Sequence, residues 1–65
     1  MNFRELEKIL KADGWRLARS EGSHHHYRHP AKLGLLTVPR HPGDIDPRLL
    51  KSILKRAQIK EGGQS

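Results

Sequence analysis

Residues 22–30 read Gly-Ser-His-His-His-Tyr-Arg-His-Pro, and the phase of this run decides the fold. Glu21-Gly22 is a turn signal at its start. Pro30 closes it, because proline has no N–H to give to a strand ladder. Between them, Ser23 to His29 read as a strand, in which successive side chains point to opposite faces. His24, His26 and Arg28 then share one face, and His25, Tyr27 and His29 share the other. Tyr27 is the only bulky apolar member, so its face belongs to the core. His24 falls on the open face, beside the turn. The run is internal and continues into patterned sequence, unlike a purification-tag remnant.

Working outward, Trp15 to Ser20 form the preceding strand, with Trp15 and Leu17 on one face and Arg16 on the other. After Pro30, Ala31-Lys32 turn the chain. Leu33 to Val38 form a third strand, the most apolar, closed by Pro39. A helix flanks each end of this unit. Asn2 is its first N-cap, and Glu5 three residues on completes a capping box. Phe3, Leu6, Ile9 and Leu10 make one apolar stripe, and Gly14 stops the helix in a left-handed cap. Asp46 caps the second helix, with Pro47 at the first helical position, where its missing N–H costs nothing. Leu49, Leu50, Ile53, Leu54 and Ala57 form the stripe there.

Two helices with one apolar stripe each must cover the same sheet face. The expected fold is therefore α+β, in the order α-β-β-β-α. It has a three-stranded antiparallel sheet with both helices on one face, as in double-stranded-RNA-binding domains. Such domains read shape and phosphates rather than base edges. A single domain over residues 1–60 is expected, followed by a flexible tail at 61–65, Glu-Gly-Gly-Gln-Ser.

The 65 residues carry thirteen Lys and Arg against seven Asp and Glu, a formal charge of +6. So strong a field on so small a surface favours a polyanion, most commonly nucleic acid. With one Phe, one Trp and one Tyr, the chain lacks the rings to stack many successive bases. Cysteine is absent, which excludes disulfides and cysteine-rich zinc sites. Arg4, Glu5, Glu7 and Lys8 interrupt the first apolar pattern, so neither a signal peptide nor a membrane span is expected, and a cytoplasmic location follows. A core this small supplies about 3–5 kcal/mol of net stability.

Three chemistries fit these residues. RNA carries its own nucleophile, the 2′-OH. Cleaving it takes a base, an acid and cations for the charge on phosphorus. His24 could be the base or acid. Ser23 and the backbone N–H groups of the Gly22 turn could hold phosphate oxygens, and Arg19, Arg28 and Lys32 could supply cations. The alternative is a non-catalytic module that binds double-stranded RNA or other nucleic acid. In either case Lys51 and Lys55 on the second helix are candidate RNA-binding residues, on a side that reads equally as a phosphate track or a solvated face. A metal site would use His24 and His26, with Asp44, Asp46 or His41 as the third ligand a catalytic zinc usually takes, but nothing in their spacing demands it. His25 and His29 read as packing or rim residues, Trp15 and Tyr27 as core anchors.

The arrangement resembles the HicA toxin family of bacterial toxin–antitoxin systems, from about Phe3 to Ile59. The resemblance rests on Asp13-Gly14-Trp15, on Arg19 leading into Gly22-Ser23-His24, and on Tyr27. It continues through Thr37-Val38-Pro39 with His41, and Leu50-Lys51-Ser52-Ile53-Leu54-Lys55. It departs where a Gly-Thr often enters the second helix, here Arg48-Leu49, and where an Ala-Gly often closes it, here Ala57-Gln58. The resemblance implies a ribosome-independent mRNA endoribonuclease with His24 as the catalytic histidine. A histidine acting on a 2′-OH is expected to need no cofactor or metal. It also implies a HicB-type antitoxin that covers the site, with the toxin monomeric when free and hetero-oligomeric when inhibited.

Overall fold

The computed structural model describes residues 1–59, so the tail expected at 61–65 lies outside the described residues. The first helix, α1, spans Phe3–Asp13 and begins with the full capping box. Glu5 N–H donates to Asn2 Oδ1 and Asn2 N–H donates to Glu5 Oε1, each at 2.9 Å. Two of the orphan amides of the first turn are thereby satisfied. The helix ends at Gly14, whose φ of +114° lets Trp15 N–H reach back to the Leu10 carbonyl at 3.0 Å.

Three strands follow: β1 over Arg16–Glu21, β2 over His24–Arg28 and β3 over Leu36–Pro39. They form one antiparallel sheet in the order β1-β2-β3. Glu21 pairs with His24, so the hairpin turn is Gly22-Ser23, one residue later than expected. Gly22 alone of the pair has positive φ, at +59°, the sign pattern of a type II′ hairpin.

The second helix, α2, spans Pro47–Arg56, with the Asp46 side chain accepting from Arg48 N–H. Both helices lie over one sheet face. Phe3, Leu6 and Leu10 of α1 and Ile53 and Leu54 of α2 bury themselves against Tyr27, Leu36 and Val38. Trp15 and Tyr27 are the largest fully buried side chains, as core anchors should be. The Trp15 indole N–H donates to the Ala57 carbonyl at 3.3 Å, tying the start of the sheet to the end of α2. No helix of the described residues is long and apolar enough to cross a membrane.

The sheet departs from the sequence expectation in two places. Pairing of the third strand begins at Leu36, not Leu33, which is 97% exposed. Gly34 at φ +90° breaks the extended backbone between them. Pro39 belongs to the strand, opposite His24, and is tolerated because β3 is an edge. In β1 the register shifts between Leu17 and Arg19, leaving Ala18 as an extra residue. Such a bulge reverses the alternation beyond it. Leu17 stays on the helix side opposite Tyr27 but is 44% exposed at the edge, while Arg19 and Glu21 move to the open face opposite His26 and His24.

Candidate functional site

The pleat of β2 sorts its histidines by chemistry. His25 lies on the helix side, edge-on to Phe3 with ring centroids 5.0 Å apart. His29, just past the strand, is held at both nitrogens. Ala31 N–H donates to Nδ1 at 2.9 Å, so Nε2 carries the proton and donates to the Asp13 carbonyl at 2.7 Å. Its ring also meets Trp15 edge-on at 5.2 Å. Both residues are packing residues.

On the open face, His26 bridges all three strands. Its Nε2 lies 3.0 Å from Glu21 Oε1 on β1, and its Nδ1 lies 2.9 Å from Thr37 Oγ1 on β3. The side chain is only 12% exposed. His24 shares that face and is exposed, but takes part in none of these hydrogen bonds. Its imidazole, next to the Gly22-Ser23 turn, is therefore open to a ligand at either nitrogen. Tyr27 cannot serve as a base. Burial, and then the Glu7 carboxylate that accepts its O–H at 2.6 Å, push the phenol far above its ordinary range, against a smaller opposing effect from Arg40.

The cations expected around His24 divide into three groups. Arg19 and Arg28 come together on the open face, where with Ala18 and Leu35 they line a small depression. Arg19 Nε lies 3.7 Å from Glu21 Oε2, an exposed pair of little energetic weight. Lys51 and Lys55 are exposed on α2, in the helix layer and on the opposite side of the sheet from His24. They could serve RNA only along a separate track. Lys32 is a correction to the expectation. Its ammonium donates to Asp13 Oδ2 at 2.5 Å, to the Ala57 carbonyl at 2.9 Å and to the Gln58 carbonyl at 3.0 Å. All three of its protons are engaged, which leaves none for a phosphate.

A cleft of 560 Å³ opens beside the same hairpin. Gly22 and Ser23 form one wall, Arg4 at the start of α1 another, and Arg40 with His41 a third. Sequence reasoning passed over Arg4 and Arg40. The signal for Arg40 was the register: with His24 opposite Pro39, the next pair outward is Ser23 and Arg40, and Arg40 N–H does donate to the Ser23 carbonyl at 2.6 Å. Among the described residues, no group of three His, Asp or Glu side chains is placed to hold a metal ion.

The family model described as "HicA toxin of bacterial toxin-antitoxin" matches residues 3–59, nearly the whole chain. No curated protein matches it.

Proposed function

The chain belongs to the HicA toxin family of bacterial toxin–antitoxin systems, and we propose that it acts as an mRNA endoribonuclease with His24 as its catalytic histidine. The observation that carries this is the isolation of His24. It is the one histidine of the 24–26 run that is exposed on the open face, free of the hydrogen bonds that hold His26, and next to a glycine turn.

His24 takes the proton from a ribose 2′-OH, and the 2′-oxygen attacks the adjacent phosphorus. The bond to the 5′-oxygen breaks, and solvent on the open face can deliver the proton that this leaving group needs. The products are a 2′,3′-cyclic phosphate and a 5′-hydroxyl end. Gly22 and Ser23 offer backbone N–H groups and a hydroxyl to the phosphate, while Arg19 and Arg28 balance charge developing on it. A histidine acting on a 2′-OH needs no metal for this proton transfer.

The test is incubation of the purified protein with RNA in excess EDTA, beside His24→Ala at matched folded fraction. Cleavage by the wild type alone, leaving cyclic or 3′-phosphate ends, is expected. Equal cleavage by the two proteins removes His24 from the mechanism. Loss in EDTA with return on adding zinc or manganese points to a metal-dependent reaction. Binding without cleavage leaves the non-catalytic RNA-binding module.

The antitoxin partner is proposed to be of HicB type and to work by burial in the cytoplasm, converting a free monomer into a hetero-oligomer. An acidic antitoxin surface over Gly22, Ser23 and His24 would exclude RNA, with charge complementarity speeding the encounter. Saturating antitoxin that blocks cleavage while RNA binds the complex with unchanged affinity rules out occlusion.

A further inference from the structure

We propose that the cleft between the β1–β2 hairpin and the loop at residues 40–43 is a nucleotide subsite of single-stranded RNA. In it, Arg40 meets the base and Arg4 the phosphate of the nucleotide next to the scissile bond. This assignment rests on the RNA-cleaving role proposed above and extends it from the reacting atoms to the substrate beside them.

Size is the first ground. At 560 Å³ the cleft lies within the range of small-molecule sites and is larger than a lone phosphate requires. Charge is the second. Arg4 and Arg40 come from different elements, α1 and the segment after β3, yet both line it, and no carboxylate does. Continuity is the third. Gly22 and Ser23, the residues just before His24, form one wall, so a strand of RNA crossing the hairpin at His24 enters the cleft with its next nucleotide.

Arg40 is also held in place. Its N–H donates to the Ser23 carbonyl at 2.6 Å, and its guanidinium lies over the Phe3 ring, 5.7 Å from the centroid. A guanidinium plane backed by an aromatic ring is a stacking surface for an unpaired base. One such platform suits a chain with few aromatic rings. Arg4 is exposed on the first turn of α1 and free to adopt the forked geometry that phosphate oxygens accept.

Binding is measured by fluorescence anisotropy with a short labelled RNA carrying 2′-O-methyl groups throughout, which cannot be cleaved by any 2′-OH mechanism. The full chain, Arg4→Gln and Arg40→Gln are compared across several salt concentrations. Arg56→Gln, exposed at the far end of α2, sets the effect of losing one charge away from the cleft. Amide NMR spectra confirm that each variant is folded. Arg4→Gln is expected to weaken binding more than Arg56→Gln and to lower the salt slope by about 0.7, one phosphate contact on a single strand. Arg40→Gln is expected to weaken binding more than Arg56→Gln as well.

A nucleoside 3′-monophosphate should shift the amides of Gly22, Ser23 and Gly43 in the wild type but not in Arg40→Gln. Variants that bind no more weakly than Arg56→Gln overturn the subsite. So do equal amide shifts with inorganic phosphate, which would make it an anion site only. Loss of antitoxin affinity with RNA affinity intact would likewise overturn it, and assign the cleft to the protein partner. The cleavage reaction can fail independently. If natural RNA is never cut while the methylated RNA still depends on Arg4 and Arg40, the subsite stands and the nuclease falls. If His24-dependent cleavage holds while both variants match Arg56→Gln, the reverse is true.

Discussion

Replacing Lys32 with methionine separates two roles that its sequence position leaves mixed. As a phosphate ligand, Lys32 would matter to RNA and not to folding. In the structure its ammonium joins three segments that are far apart in the chain: Asp13 at the end of α1, Lys32 itself between β2 and β3, and the carbonyls of Ala57 and Gln58 at the end of α2. Its side chain is 18% exposed and that of Asp13 is 30% exposed, so the pair is partly shielded from water. Hydrogen bonds to charged groups contribute about 1.5–3 kcal/mol.

The groups left behind by Lys32→Met are partly rescued. Ala57 keeps the Trp15 indole as a donor, and the Gln58 carbonyl can take water at the surface. A net loss of about 2–3 kcal/mol follows, against a total of about 3–5 kcal/mol for a core of this size. In urea, with a slope of about 1 kcal/mol per molar, the midpoint should fall by about 2 M or more. Melting should drop by at least about 10 °C. Equilibrium unfolding followed by Trp15 fluorescence reads this directly. RNA affinity, corrected for folded fraction, should be unchanged. A variant within about 0.5 kcal/mol of wild type that binds RNA with a reduced salt slope would refute the structural role and return Lys32 to the phosphate contacts.

Three further outcomes test the fold around the site. Gly14→Ala would place a Cβ 2.7 Å from His29 Nε2 at a φ of +114°, costing at least about 2 kcal/mol from backbone strain and overpacking together. In a double-mutant cycle with His29→Ala the steric share should disappear, and strict additivity would mean that no clash exists. Raising the Tyr27 pKa means that the unfolded chain loses this proton first. Stability should therefore fall as pH rises above about 10, by up to about 1.4 kcal/mol per unit, and Tyr27→Phe should remove that part of the alkaline slope; matching slopes in the two proteins would contradict it. Gln58 holds a left-handed φ of +58°, so Gln58→Gly should raise stability by about 1 kcal/mol in chemical unfolding, and a loss of stability would show that the Gln58 side chain contributes more than its strain costs.

What was legible in the sequence was local. The Asn2–Glu5 box, the Gly14 stop, the Asp46-Pro47 start and the alternation through His24–His29 each depend on residues a few positions apart, and each stands in the structure. Their order sufficed to place both helices on one face. Three features escaped because their causes are not local. No glycine marks the bulge at Ala18, so β1 looked regular and Arg19 was placed near His24 by sequence distance alone. Leu33-Gly34-Leu35 continues an apolar run into β3, and only the Gly34 backbone shows that the strand has not begun. The partners of Lys32 lie 19, 25 and 26 residues away, beyond any pattern a window can hold. The departure at Ala57-Gln58 was readable in part, since Gln58 takes the left-handed cap that glycine would fill at lower strain.

The open face of the sheet also bears on how an antitoxin can act. Two helices with one apolar stripe each cover a single sheet face, so the second is left to water or to a partner. A partner needed for folding would meet apolar residues there. This face instead presents mostly polar groups, Arg19, Glu21, His24, His26, Arg28 and Thr37, with Pro39 and Leu35 as isolated apolar neighbours. Its central polar contact is already internal, with His26 bonded to Glu21 on one side and Thr37 on the other, so all three strands are tied together without outside help. The core on the other face holds Trp15, Tyr27 and the two helix stripes, with His25 packed against Phe3 and His29 against Trp15. Folding and the His24 surface therefore draw on opposite sides of one sheet. On the RNA-cleaving role proposed above, a protein that covers this face would compete with RNA for polar groups without completing a core, and the toxin would be released in folded form when its inhibitor is removed.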